Sequence, residues 1–156
     1  MPSSIPLFLL LALLGLSSGF FSSEGRNSDE KVDSDAEEFA FYFLNDAKNA
    51  VYKKDGIEKF FARDFIFQHC KGFNAYAAEA IKFLNTLPSE TKIIASLNSA
   101  KSRGVHIFIH FYVSFHFKVL DSHPIEVILQ VNKNSRRMDG GMVNNCDQLK
   151  DTLWRI

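Results

Sequence analysis

The strongest pattern in the chain runs from Val105 to Leu120. Val105, Ile107, Ile109, Phe111, Val113, Phe115, Phe117 and Val119 are apolar, and His106, His110, Tyr112, Ser114, His116 and Lys118 fall between them. Eight successive apolar alternates exclude a helix and predict a long strand with one buried face. Pro124 opens a second alternating run, Ile125, Val127, Leu129 and Val131, and Asp121-Ser122-His123 fits the hairpin connection between the two. Upstream, Thr91 to Ser102 alternates with Ile93, Ala95 and Leu97 on one face. Downstream, Asp139-Gly140-Gly141 marks a turn or bulge before a last strand, Met142 to Cys146.

The first half of the chain follows a helical period instead. Ser34 with Glu37 three residues later is a capping box, and Ala36, Phe39, Ala40, Phe43, Ala47, Ala50 and Val51 recur on one helix face. Asp55 with Glu58 opens a short helix that turns Ile57, Phe60 and Phe61 inward, and Asp64 to Cys70 then suits a strand. Asn74 is placed to cap a third helix that buries Ala77, Ala80, Ile81, Leu84 and Leu87 and stops at Pro88. Helices first and a strand meander second predict an α+β domain, three N-terminal helices packed in a curved, mostly antiparallel sheet.

The N-terminus departs from both periods. Ile5 to Leu16 is an almost unbroken apolar run, too short to span a bilayer, and Ser17 and Gly19 supply the small residues of a cleavage site. Residues 1–19 are therefore expected to be a signal peptide cut after Gly19, residues 20–34 a flexible acidic leader, and residues 35–156 the folded domain. The mature protein is expected to be secreted, with no membrane contact after cleavage. Cys70 and Cys146, the only cysteines, fit that oxidising compartment as one disulfide.

Charge narrows the partners. Lys plus Arg equals Asp plus Glu at 18 each, so no overall basic field draws in nucleic acid, and no nucleic-acid partner is expected. Sixteen phenylalanines in 156 residues imply a large aromatic core or an apolar cavity.

Asp55-Gly56-Ile57-Glu58-Lys59-Phe60-Phe61-Ala62-Arg63-Asp64-Phe65-Ile66-Phe67 resembles the helix-to-first-strand passage of the nuclear transport factor 2-like superfamily, the cone-shaped fold of ketosteroid isomerase and scytalone dehydratase. A Gly72 turn and a Glu79-Ala80-Ile81-Lys82-Phe83-Leu84 helix follow as in that family, and the likeness covers roughly Asp35 to Cys146. Enzymes of this kind use a carboxylate base with hydroxyl and protonated-acid donors inside the cone. The resemblance carries the carboxylate position to the end of the strand Phe65 to His69, where the chain has Gln68 and His69 and no acid.

His69, on the same strand face as Phe65 and Phe67, is the candidate base, and Tyr42 of the first helix the candidate hydroxyl donor. Phe43, Phe65, Phe67, Phe111 and Phe115 are the candidate walls of a ligand cavity. Along a strand His106 and His110 stand ~13 Å apart and His110 and His116 ~20 Å apart, so no two of them share an ion and no metal site is expected. No cofactor is expected either, because Gly-rich phosphate loops and nucleophile elbows are missing from the sequence. The histidines and Tyr112 instead belong to the outer face of the sheet, a surface suited to a homodimer. The expected function is a secreted, non-catalytic binder of an apolar small molecule or a protein-interaction module. The alternative is an isomerase or dehydratase that uses His69.

Overall fold

The computed structural model describes residues 28–70, 72–116 and 124–146. Helix α1 (Ser28–Lys53) leads into a 3-10 turn (Ile57–Phe60) and β1 (Phe61–Gln68). Short β2 (Asn74–Tyr76), α2 (Ala77–Thr86), β3 (Lys92–Arg103), β4 (His106–His116), β5 (Ile125–Asn132) and β6 (Arg137–Val143) follow. The six strands form one sheet in the order β2-β1-β6-β5-β4-β3. The α+β class is as expected, with two α-helices and the 3-10 turn standing where three helices were placed.

All strand pairs are antiparallel except β1 with β6, which is parallel. Three register breaks bend the sheet. Four residues of β1, Ala62 to Phe65, stand against Asp139 alone on β6, Asn98 is extra on β3, and Asp139 is extra on β6 opposite Gln130 and Val131. Helix α1 packs on the concave side against β3 and β4. Its Ala36, Ala40, Phe43, Leu44, Ala47, Ala50 and Val51 are buried there, which is the predicted stripe with Leu44 added and Phe39 only partly buried. The alternation holds within β4 and β5, because Ile107, Ile109, Phe111, Val113, Ile125, Val127, Leu129 and Val131 all face this core, whereas Val105, expected on the same face, is exposed before β4 begins and residues 117–120 lie outside the described residues.

Several boundaries differ from the sequence reading. Helix α1 starts at Ser28 rather than Ser34, so residues 28–34 of the expected leader are helical. The acid-rich start that looked like a solvated tail is equally a favourable helix N-terminus. Asn74 does not cap α2, because it is paired with Gln68 in β2. The helix begins after Tyr76, whose backbone N–H donates to the Glu79 carboxylate at 3.1 Å. Strand β1 begins at Phe61, directly after the 3-10 turn.

The last strand is Arg137–Val143, not Met142 to Cys146, and Asp139-Gly140-Gly141 lies inside it. Of the two readings of that tripeptide the bulge is the observed one. The glycines are required by close approach. A Cβ on Gly140 would stand 2.7 Å from the Ile66 carbonyl oxygen, and one on Gly141 would meet Leu129, the Ile128 carbonyl and Phe67 at 2.7–2.9 Å.

Cys70 and Cys146 form a disulfide with their Cα atoms 5.1 Å apart. It ties the segments that follow β1 and β6, the parallel pair. The expected signal peptide and the 121–123 connection lie outside the described residues. Among the described residues no helix is long and apolar enough to cross a membrane.

Candidate functional site

The inner face of the sheet holds most of the residues expected to form a site. Phe43, Phe67 and Phe111 are 0% exposed and Phe65 is 1% exposed. These four rings are packed in the core. Edge-on contacts such as Phe61 with Phe65 at 4.9 Å and Phe43 with Phe60 at 5.6 Å knit the aromatic core. Phe115 stands opposite Ile93 in the β3–β4 ladder, and its side chain lies outside the described residues.

His69 follows β1 and continues the buried alternation of Phe65 and Phe67. It is 8% exposed, and its backbone N–H donates to the Phe73 carbonyl at 2.9 Å beside the disulfide. Tyr42 lies elsewhere. It is 55% exposed and lines a surface groove of about 310 Å³ with Asp35, Glu38, Phe39 and Arg136. Arg136 precedes β6, whereas His69 follows Gln68, the partner of Met142 near the far end of that strand. Six residues of extended chain separate the two ends by ~20 Å. The structure does not bring Tyr42 and His69 together. The hydroxyl donor was misplaced because helical spacing sets Tyr42 beside the buried stripe without saying which way it leans.

The outer face of the sheet is chemically richer. His106, His110 and His116 all lie on it, as the alternation requires. Two of them reach across strands to carboxylates, which the sequence did not disclose. His106 Nε2 lies 2.8 Å from Asp139 Oδ2, made accessible by the β6 bulge, and His110 Nε2 is hydrogen-bonded to Glu126 Oε1. The His110 ring also meets the Asn98 amide at 3.1 Å, from the β3 bulge.

Glu126 is held from a further side. The Asn144 amide donates to its carboxylate at 3.1 Å, and the Asn145 side chain accepts its backbone N–H at 2.9 Å and donates to the Pro124 carbonyl at 3.2 Å. Asn145 is buried, and the next residue is the disulfide half Cys146. The covalent tie and this polar bracket together fix the β5 end of the outer face. Pairing of each histidine with one carboxylate is consistent with positioned surface polar groups. Among the described residues no three metal-ligating side chains converge.

Beside these pairs runs an apolar band. Tyr76 faces Ile66 across β2 and β1, Met142 lies diagonally next to Ile66, and Ile128 is directly opposite Met142. Tyr76, Ile66 and Met142 are 54%, 42% and 40% exposed, on a sheet whose other face buries every large ring described on it. Ile66 has Gly140 as its other neighbour, so a projecting side chain stands next to bare backbone.

The NTF2-like domain family model matches residues 37–148. No curated protein matches the chain. Among solved structures, an LEH-like epoxide hydrolase of M. tuberculosis superposes with a TM-score of 0.55 at 11% identity, covering 76% of this chain and 89% of that one. A de novo designed protein with a curved β-sheet superposes with a TM-score of 0.52 at 16% identity, covering 70% and 99%. At such identities the likeness is one of fold.

Proposed function

This chain belongs to the NTF2-like family, and from that premise we propose that it is an exported, disulfide-tied binding module that works through the outer face of its sheet and pairs there with a second copy of itself. The observation that carries this reading is the band Tyr76, Ile66 and Met142, large side chains left in solvent across three adjacent strands, with the partly buried Ile128 continuing it on the fourth. The packing of Phe43, Phe65, Phe67 and Phe111 favours this surface over the interior as the place where a partner binds. The Cys70–Cys146 bridge suits an oxidising compartment.

Sedimentation of the secreted chain tests the proposal. The wild type should be dimeric at micromolar concentration, and Ile66→Asp with Met142→Asp should be monomeric with unchanged circular dichroism. A wild type that stays monomeric at a hundredfold higher concentration would refute it. Turnover of a small carbonyl substrate that is lost in His69→Gln would install the isomerase reading in its place.

A further inference from the structure

No aspartate or glutamate occurs between Thr91 and Leu120, while Lys92, Lys101, Arg103 and Lys118 and three histidines do. The fold turns most of this stretch into one hairpin, β3 and β4, at the open edge of the sheet. Register places Lys92 opposite His116, Ser96 opposite Tyr112, Ser99 opposite His110, Lys101 opposite Phe108 and Arg103 opposite His106, all on the outer face. The outer face of the ladder thus presents cations, imidazoles and hydroxyls, with Ile94 and Phe108 among them. Eleven residue steps from Lys92 to Arg103 make it ~36 Å long.

Its cations are uncompensated. Among the described residues Lys92, Lys101 and Arg103 meet no carboxylate, and the nearest acids on neighbouring strands, Glu126 and Asp139, are already engaged by His110 and His106. The Arg103 guanidinium lies over the Phe108 ring at 5.8 Å, which holds it on the face of the ribbon.

We propose that the outer face of the β3–β4 hairpin binds a linear sulfated polysaccharide laid along the strands. Cations at both ends of the ribbon, Lys92 at one and Lys101 with Arg103 at the other, with the hydroxyls of Ser96, Ser99 and Tyr112 between them, match a chain whose anionic groups recur along its length. Guanidinium and ammonium groups both bind sulfate oxygens through charge-assisted hydrogen bonds. An anionic bilayer fits less well, because the exposed apolar side chains of the hairpin, Val105 in its turn and Tyr112 in mid-strand, stand singly and form no continuous face to insert beside the charges. A single-stranded nucleic acid would want successive exposed aromatic platforms, and here Phe108 lies beneath Arg103. The site occupies the sheet edge opposite the Tyr76–Ile66–Met142 band, so it does not depend on self-association.

The test uses the full secreted, disulfide-intact chain on immobilised heparin, with heparin oligosaccharides, phosphatidylserine vesicles and a single-stranded oligonucleotide in solution. The wild type should be retained at ~0.15 M salt, and the Lys92→Glu, Lys101→Glu, Arg103→Glu triple variant should bind heparin about 100-fold more weakly with a shallower salt dependence. A control of equal charge change on α1, β1 and α2, Lys53→Glu, Arg63→Glu, Lys82→Glu, should lose less than about tenfold. Ile66→Asp with Met142→Asp should bind heparin as the wild type does, which separates this result from that of the dimer. Equal loss in both triple variants, no retention of the wild type, or tighter binding to the vesicles or the oligonucleotide would overturn the proposal. If the charge-reversed variant does not fold, Lys101→Gln with Arg103→Gln serves instead and should weaken binding about tenfold.

Discussion

Replacing Gly141 by alanine puts one methyl group where three walls already meet. The new Cβ would lie 2.7 Å from a Leu129 methyl, 2.8 Å from the Ile128 carbonyl oxygen and 2.9 Å from the Phe67 ring. The Leu129 methyl can swing away, but Ile128 is fixed in the β5–β6 ladder and Phe67 is fully buried. The strands must therefore separate or Phe67 must leave its rotamer. Overpacking of this kind costs ~3 kcal/mol, a large part of the 5–15 kcal/mol that holds a domain together. Thermal unfolding should show it as a drop in Tm of roughly 10 °C for a domain of this size. Gly104 supplies the contrast: its φ is +59°, and a Cβ there meets nothing within 4 Å. Gly104→Ala should cost only the left-handed backbone penalty of ~1 kcal/mol, and Gly104→Asn less still. Gly141→Asn should instead be worse than Gly141→Ala. A Gly141→Ala protein that melts within about 2 °C of wild type would refute the close approach of β1, β5 and β6 from which the magnitude is derived.

Loss of the disulfide by Cys70→Ser with Cys146→Ser frees a sequence separation of 76 residues, and should lower the unfolding free energy by ~4 kcal/mol in a denaturant titration. Asn145→Ala removes two hydrogen bonds from a buried bracket and leaves the Glu126 N–H and the Pro124 carbonyl to find water. It should cost ~2 kcal/mol, and hydrogen exchange should show the loss of protection concentrated at the Glu126 amide rather than spread through β4.

The long elements were legible because their burial is one-sided and local. The β4 and β5 alternation and the α1 stripe each repeat many times, so the pattern outweighs any single exception. What escaped the sequence was set by neighbours distant along the chain. Gly140 and Gly141 read by their type as a turn or a bulge, and the choice between the two was made by β1, whose Ile66 and Phe67 press against them. Asn74 has the chemistry of a helix cap, but Gln68 claims it for a strand. At the candidate site, the outward direction of His106 and His110 followed from periodicity. Their bonds to Asp139 and Glu126 did not, since those partners lie 33 and 16 residues away and one depends on a bulge. Tyr42 was the reverse case, where a residue type with suitable chemistry sits on the wrong side of its helix.

The parallel union of β1 with β6 also governs how the polypeptide must be made. β1 is finished at Gln68, but the strand that covers its inner edge begins only at Arg137. At ribosomal speeds of about 5–20 residues per second, β1 waits roughly 10 seconds for that neighbour, with three-residue β2, paired to Ile66–Gln68, as its earlier strand partner among the described residues. Until β6 arrives the backbone groups along that side of β1 have no strand to pair with, and truncation before Arg137 would leave an open strand edge of the kind through which chains associate.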